Sequence, residues 1–239
     1  NFDIHTVIID EAQDISAVDI ELIRLTSKNT ILAGDESQTE SLDGISLWEN
    51  LAIATSFTKD GSLQLYQLRH NFRQTYELGS VSYNYRQLLL NRNIEYIRSD
   101  YFEDQIGFNK PSLKLISENK DFVSLLKSRI SYIKETFSNA VPLVIFYENS
   151  PSLHRLQDVV RTEKLSFSTD ENIDTNNDVL FVNILEIAGR EFPVVLAPLA
   201  KSTKPNTIYI MLSRAKFDLT FFTGANNNIE EHVQTLCQK

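Results

Sequence analysis

The sequence predicts an α/β fold with a parallel sheet, and three observations carry that prediction. Short apolar runs recur along the chain, continuous and β-branched rather than alternating, as in strands buried on both faces. Amphipathic stretches of helical period separate them. Polar and acidic residues stand at the carboxyl ends of the runs, where open α/β sheets bind ligands.

Val7-Ile8-Ile9 is the first run and is expected to be a buried parallel strand. It delivers two adjacent carboxylates, Asp10 and Glu11. At such a place one carboxylate can hold Mg²⁺ through water, and its neighbour can accept a proton from an attacking water. The plainer alternative is a polar loop opening after a core strand. Residues 15–28 follow with an apolar stripe of Ile15, Val18, Ile20, Leu22, Ile23 and Leu25, expected to be a helix. Thr30–Ala33 is a second short strand, and Gly34–Gln38 is the loop at its tip. Strand, helix and strand in sequence make the parallel α/β unit. Gly34 lets the chain turn sharply, which puts Asp35 and Gln38 on the rim that carries Asp10 and Glu11. Gln38 can bond a water or a phosphoryl oxygen there, or simply cap a helix.

Residues 39–62 are polar and mixed, with a short helix suggested by Ile45, Leu47, Trp48, Leu51 and Ile53. Trp48 is either core or a base-stacking surface. Residues 64–68 read as a strand. In the next stretch, Arg69, Phe72 and Arg73 can clamp an anion and stack a base, or merely open an exposed helix. A long tyrosine-rich helix or helix pair is expected over 76–98, and a connection over 99–111.

The alternation then resumes. Leu113–Ile116 is strand-like, and 119–137 is an amphipathic helix with Phe122, Leu125, Leu126, Ile130, Ile133 and Phe137 on one face. Val141–Tyr147 is a strand, and Ser150–Arg161 a helix with Pro151 in its first turn. Residues 168–178 form an acidic, amide-rich loop. Val179–Ile184 and Val194–Pro198 are further buried strands, 205–216 a helix, Leu219–Thr223 a strand and Ile229–Cys237 a terminal helix.

Composition narrows the function classes. The 239 residues are 42% apolar and 23% charged, ordinary for a globular chain large enough for one large or two small domains. No apolar run approaches the roughly 20 residues that span a bilayer. No basic stretch precedes an apolar block near the start, so an intracellular, cytoplasmic location is the expectation. The single cysteine, Cys237, excludes an internal disulfide, and the four scattered histidines show no zinc-ligand spacing. The net charge of −9 is not that of a free-standing nucleic-acid binder, so strand contact requires a local groove or another part of a larger protein. Asn1 follows no methionine and a strand begins almost at once. The expectation is a piece of a longer protein.

Five stretches lie in a fixed order: Asp-Glu-Ala-Gln-Asp (10–14), Gly-Asp-Glu-Ser-Gln (34–38), Arg-His-Asn-Phe-Arg-Gln-Thr (69–75), Ala-Gly-Arg-Glu-Phe-Pro-Val-Val (188–195) and Leu-Ser-Arg-Ala-Lys (212–216). Together they resemble motifs two to six of the UvrD/Rep branch of superfamily 1 DNA helicases, across nearly the whole chain. The resemblance implies RecA-like parallel sheets flanked by helices, of the P-loop NTPase helicase type. Residues 1–75 would be the C-terminal part of a first RecA-like domain, and 76–239 the second. It implies ATP and Mg²⁺ as ligands and single-stranded DNA as partner. Asp10 would ligate Mg²⁺, and Glu11 would be the general base. Gln38 would sense the γ-phosphate and couple it to the DNA groove. Phe72 would pack on the adenine, Arg73 and Arg214 would touch the γ-phosphate, and Glu191, just after Gly189, would lie near the ribose. The family's ATP site lies between its two RecA-like domains.

The chain also departs from the family. The phosphate-cradling Gly-x-x-x-x-Gly-Lys-Ser/Thr pattern is missing, which fits a missing N-terminal RecA-like portion and an inactive isolated fragment. Asn183, Leu185 and Ala188 replace the fifth motif's usual Thr, His and Lys. Thr39-Glu40-Ser41-Leu42 replaces the family's base-stacking aromatic. The large inserted subdomain is absent or minimal. Two rival expectations follow: an ATPase that remodels a protein–nucleic-acid machine such as RNA polymerase, or a non-catalytic helicase-like scaffold.

Overall fold

The computed structural model describes residues 4–39, 66, 73–90, 111–116, 118–137, 141–170, 172–174, 176–187, 189–200 and 202–224. The chain divides into two compact units, residues 1–69 and 70–239.

In the first unit, β1 (Ile4–Ile9) and β2 (Ser27–Leu32) pair in parallel, with Ile8 beside Ile31 and Ile9 beside Leu32. Helix α1 (Ala17–Thr26) connects them. It starts where Ser16 Oγ accepts the Asp19 N–H at 3.1 Å, satisfying one of the donors that a helix start leaves open. Its end is sealed by the Thr26 and Ser27 hydroxyls, which both donate to the Ile23 carbonyl. Ser27 then takes up extended backbone, so β2 starts three residues earlier than its apolar run.

Two expectations are corrected in this unit. The first strand is parallel but not buried: Ile8 is 71% exposed and Ile31 52%. Strand side chains alternate between faces; α1 packs on this pair, and the side chains of Ile8 and Ile31 stand exposed. The expected apolar stripe of 15–28 is likewise covered only in part, with Ile15 and Ile23 half-buried. Of its six apolar residues only Ile20 is buried, while Val18, Leu22 and Leu25 stand exposed on successive turns.

The second unit contains α2 (Tyr76–Leu90), β3 (Ser112–Ile116), α3 (Asn119–Thr136), β4 (Leu143–Tyr147) and α4 (Ser150–Thr162). They are followed by β5 (Phe167–Thr169), β6 (Val179–Asn183), β7 (Phe192–Pro198), α5 (Pro205–Arg214) and β8 (Ala215–Gly224). The strands form a six-stranded sheet in the order β3-β8-β7-β4-β6-β5, parallel at every pairing. This is the parallel α/β class that the sequence predicts.

Alternation along the central strands sorts the core into two layers. Val144, Phe146, Leu180, Val182, Val195 and Ala197 face Leu78, Val81 and Tyr85 of α2 and Ile208–Leu212 of α5. Leu143, Ile145, Val179, Phe181, Val194 and Leu196 face Phe122, Leu125, Leu126, Ile130 and Ile133 of α3, with Val160 of α4. The starts of α3 and α4 are capped in sequence: Asp121 accepts the Glu118 N–H at 3.0 Å, and Asn149 Oδ1 accepts the Ser152 N–H at 3.0 Å. A further tie crosses the second layer, where Arg129 Nη1 of α3 meets the buried Asp218 Oδ2 of β8 at 3.1 Å.

Boundaries differ from expectation where pairing overrides helical period. The helix expected over 205–216 stops at Arg214, because Ala215 pairs with Phe192 and opens β8. A short strand, β5, occupies the start of the acidic loop. The long helix is described to Leu90. Trp48, the strand over 64–68 apart from Tyr66, Phe72, Ala188 and the terminal helix over 229–237 lie outside the described residues.

Candidate functional site

The tips of β1 and β2 are bound to each other. Ala33 donates its N–H to the Ile9 carbonyl at 2.8 Å, and Ala12 donates to the Ala33 carbonyl at 2.9 Å. Both loops therefore leave the same edge of the strand pair. Asp10 is exposed there, and its Oδ1 accepts the Glu11 N–H at 2.9 Å. Glu11 has φ 51° and ψ 37°, the left-handed region, which costs a non-glycine residue about 1–2 kcal/mol. It opens the 3-10 turn Ala12–Asp14.

Gln13, missed by the sequence reading, joins the two loops. It is 2% exposed. Its amide nitrogen donates to Glu11 Oε2 at 2.8 Å and to Asp14 Oδ2 at 3.3 Å, while its Oε1 accepts the Asp35 N–H at 3.2 Å. Asp35 Oδ2 in turn accepts from Gln38 Nε2 at 3.1 Å. A continuous chain of contacts thus runs Glu11–Gln13–Asp35–Gln38. Gly34 makes it possible: a Cβ at that position would stand 2.2 Å from Gln13 Oε1.

The second unit gathers its own set. Arg73 forms an ion pair with Glu191. Lys216 Nζ reaches the other oxygen of the same carboxylate, Glu191 Oε2, at 2.9 Å. Glu191 arrives there after a turn at Gly189, where φ is +70° and a glycine is the natural occupant; Arg190 closes it by donating its N–H to the Ile187 carbonyl at 3.0 Å. Arg214 is the last residue of α5 and is 4% exposed. Residues 73–75 are bonded directly to the segment around it. Gln74 Nε2 donates to the Leu212 carbonyl at 2.6 Å and to the Ala215 carbonyl at 2.8 Å, and the Thr75 N–H donates to the Lys216 carbonyl at 3.0 Å. Three cationic side chains and one carboxylate come from this joint, a composition suited to an anionic ligand.

Of the residues singled out from sequence, the structure links Glu11 to Gln38 in the first unit and Arg73 to Glu191 in the second. Asp10 adjoins the first set, and Gly189 and Arg214 the second. Gln13, Gln74 and Lys216 escaped the sequence reading although all three lie inside the quoted stretches. Their signal was position: each stands next to, or two residues from, a residue already chosen.

The residues present fit a magnesium ion held largely by water and phosphate. Asp10 is exposed, and its Oδ2 has no hydrogen-bond partner among the described residues. Among the described residues no group of three or more His, Cys, Asp or Glu side chains could hold a metal by itself.

No family model matches the sequence, and no curated protein matches it. Solved structures give likenesses of fold at low identity. One is the C-terminal domain of a possible DNA helicase from Lactobacillus plantarum WCFS1, with 15% identity and a TM-score of 0.46 over 64% of this chain and 88% of that one. Another is the Arterivirus nonstructural protein 10 helicase in complex with DNA, with 16% identity and a TM-score of 0.49 over 97% of this chain and 41% of that one. The PRRSV helicase gives 13% identity and 0.46 over 90% of this chain and 34% of that one. The chain thus spans less than half of either viral helicase. Likenesses this distant carry no functional argument.

Proposed function

We propose that this chain is the C-terminal part of a UvrD/Rep-type motor that couples ATP hydrolysis with Mg²⁺ to movement on single-stranded DNA. The observation that carries the reading is the bonded chain from Glu11 through Gln13 and Asp35 to Gln38. It ties a carboxylate suited to activating water to a side chain suited to sensing phosphate, at the tips of two parallel strands. In this reading Glu11 accepts the proton of the attacking water and Gln38 reports the γ-phosphate. Arg73 and Arg214 offset the charge that grows on the transferred group, and Glu191 orients the ribose. Asp10 would hold magnesium, and the ion would supply positive charge against the phosphate groups.

The phosphate-cradling loop would come from a preceding RecA-like portion. The open apolar face bearing Ile4, Ile8 and Ile31 supports further strands or helices packing on the first unit.

The test is ATP hydrolysis by the full-length protein, with and without single-stranded DNA. Asp10→Asn and Arg214→Ala should each lower turnover by about 10²-fold or more while leaving the fold intact. Normal turnover in either variant would overturn the site assignment.

One observation favours a second reading, an ATPase that remodels a protein–nucleic-acid complex. In the fifth motif Asn183 spends its side chain on the local turn, its Oδ1 accepting the Leu185 N–H at 3.0 Å. Its own N–H donates to the Asp170 carboxylate at 2.8 Å. An acid at this rim repels a phosphate backbone. Polymerase-stimulated ATPase without strand displacement would select this reading; DNA-stimulated turnover with strand displacement would select the first.

A further inference from the structure

We infer that Gln74 is a positioning residue that sets Arg73 and Arg214 as a pair. The inference rests on the nucleotide-hydrolysis reading above and adds to it a residue to which neither the motif resemblance nor the choice of site residues gives a role.

A helix leaves its last carbonyls without intrahelical partners, and a loop or water usually takes them. Here α5 passes into β8 with no loop between, since Arg214 ends the helix and Ala215 opens the strand. Leu212 is 1% exposed and Ala215 0%, so water has little access at this junction. One primary amide supplies what is needed. Gln74 Nε2 donates to the Leu212 carbonyl at 2.6 Å and to the Ala215 carbonyl at 2.8 Å, and Gln74 is itself 6% exposed. The two carbonyls bracket Arg214 along the chain, so the amide holds the backbone on both sides of that residue.

The same residue is joined through its peptide bond to the other arginine. Arg73 precedes Gln74, and its guanidinium pairs with Glu191. Thr75 follows and donates its N–H to the Lys216 carbonyl at 3.0 Å. Glu191 accepts Lys216 Nζ at 2.9 Å, which closes the ring of contacts. A shift of Gln74 therefore moves the backbone that carries both arginines. Residues separated by well over a hundred positions in sequence are held as one object. Two guanidinium groups aimed at one phosphoryl group need that, because misplacement of about 1 Å can cost two orders of magnitude in rate.

The test uses the full-length protein and MgATP. Gln74→Met keeps the length of the side chain and removes both N–H donors. It should lower kcat about tenfold while KM changes less than about twofold, because the arginines act on charge that develops in the transition state. Gln74→Lys restores donors to the same carbonyls, and a cation suits a helix C-terminus; its kcat should lie within about threefold of wild type. In an Arg214→Lys background, Gln74→Met should cost far less than it does alone, since its effect runs through that side chain. If Gln74→Met does not fold, the Gln74→Lys rate decides: a folded Gln74→Lys protein that has lost about tenfold or more in kcat overturns the inference. So does a Gln74→Met loss that adds in full to that of Arg214→Lys, or wild-type kcat in Gln74→Met. These results leave the hydrolysis reading standing provided Asp10→Asn is inactive. A wild-type protein with no turnover overturns both.

Discussion

At the scale of single residues, a few side chains carry consequences that can be measured one at a time. Gly34 is the clearest. An added methyl at 2.2 Å from Gln13 Oε1 cannot be accommodated without displacing that amide. Gly34→Ala should therefore release the Asp35 N–H from Gln13, and its amide hydrogen exchange should accelerate about tenfold or more. Unchanged exchange at Asp35 would show that the two loops are held by something else. Asp178 illustrates the electrostatic case. Burial raises its carboxyl, but Lys134 at 3.0 Å and the Ser166 hydroxyl and N–H at 2.9 and 3.1 Å lower it further, so it lies below its ordinary value of 3.8. A depressed carboxylate adds stability that is fully present above the unfolded value and is lost as pH falls through the folded one. Asp178→Asn should accordingly be less stable than wild type at neutral pH, with the gap closing as pH drops below 3.8. Chemical unfolding of both proteins across that range checks it; a gap that widened in acid would contradict the sign.

At the scale of elements, α3 and α5 show two ways of holding a helix in place. α3 does so by area. Its face of Phe122, Leu125, Leu126, Ile130 and Ile133 is buried against the sheet, and Leu126 is wholly inaccessible. Leu126→Ala should cost about 2–5 kcal/mol in the unfolding of the second unit, the range for a buried leucine that leaves a cavity. A loss under about 1 kcal/mol, read from denaturant unfolding, would mean that this layer collapses around the gap. α5 is fixed by area and by its end. Its Ile208–Leu212 stretch is buried, and its last turn is bonded to Gln74. This is how Arg214 at its terminus is held in place although it borders a strand.

At the scale of the whole molecule, the described residues of the two units differ in how far they are buried. The second has six strands with helices on both faces. Among the described residues the first pairs two strands and has Ile8, Ile31, Val18, Leu22 and Leu25 exposed. Two-stranded pairs are marginal alone, and local opening follows the density of buried apolar contacts. In this chain the β1 and β2 amides should exchange with solvent at least about 10²-fold faster than those of β4, β6 and β7. Equal protection in the two units would refute the difference. The same measurement in a longer protein that contains this chain should show β1 and β2 slowing if further elements cover the open face.

The sequence by itself determined the class of the fold and the order of the motif stretches. Continuous apolar runs such as Leu143–Tyr147 specify strands buried on both faces, because period and branching act locally. The face of α3 was legible for the same reason, residue by residue. The motif resemblance also singled out Glu11, Gln38, Arg73, Glu191 and Arg214 as the candidates on which the proposed function rests. Tertiary structure alone decided what local pattern cannot contain. It left Ile8 and Leu22 exposed, because burial depends on what else packs there. It ended α5 at Arg214, because Ala215 gains a strand partner in Phe192. It made Gln13 and Gln74 joints rather than bystanders, since a side-chain amide gains its role only when two distant backbones reach it. Hydrophobic period is written along one segment; hydrogen-bond partners across a fold are not.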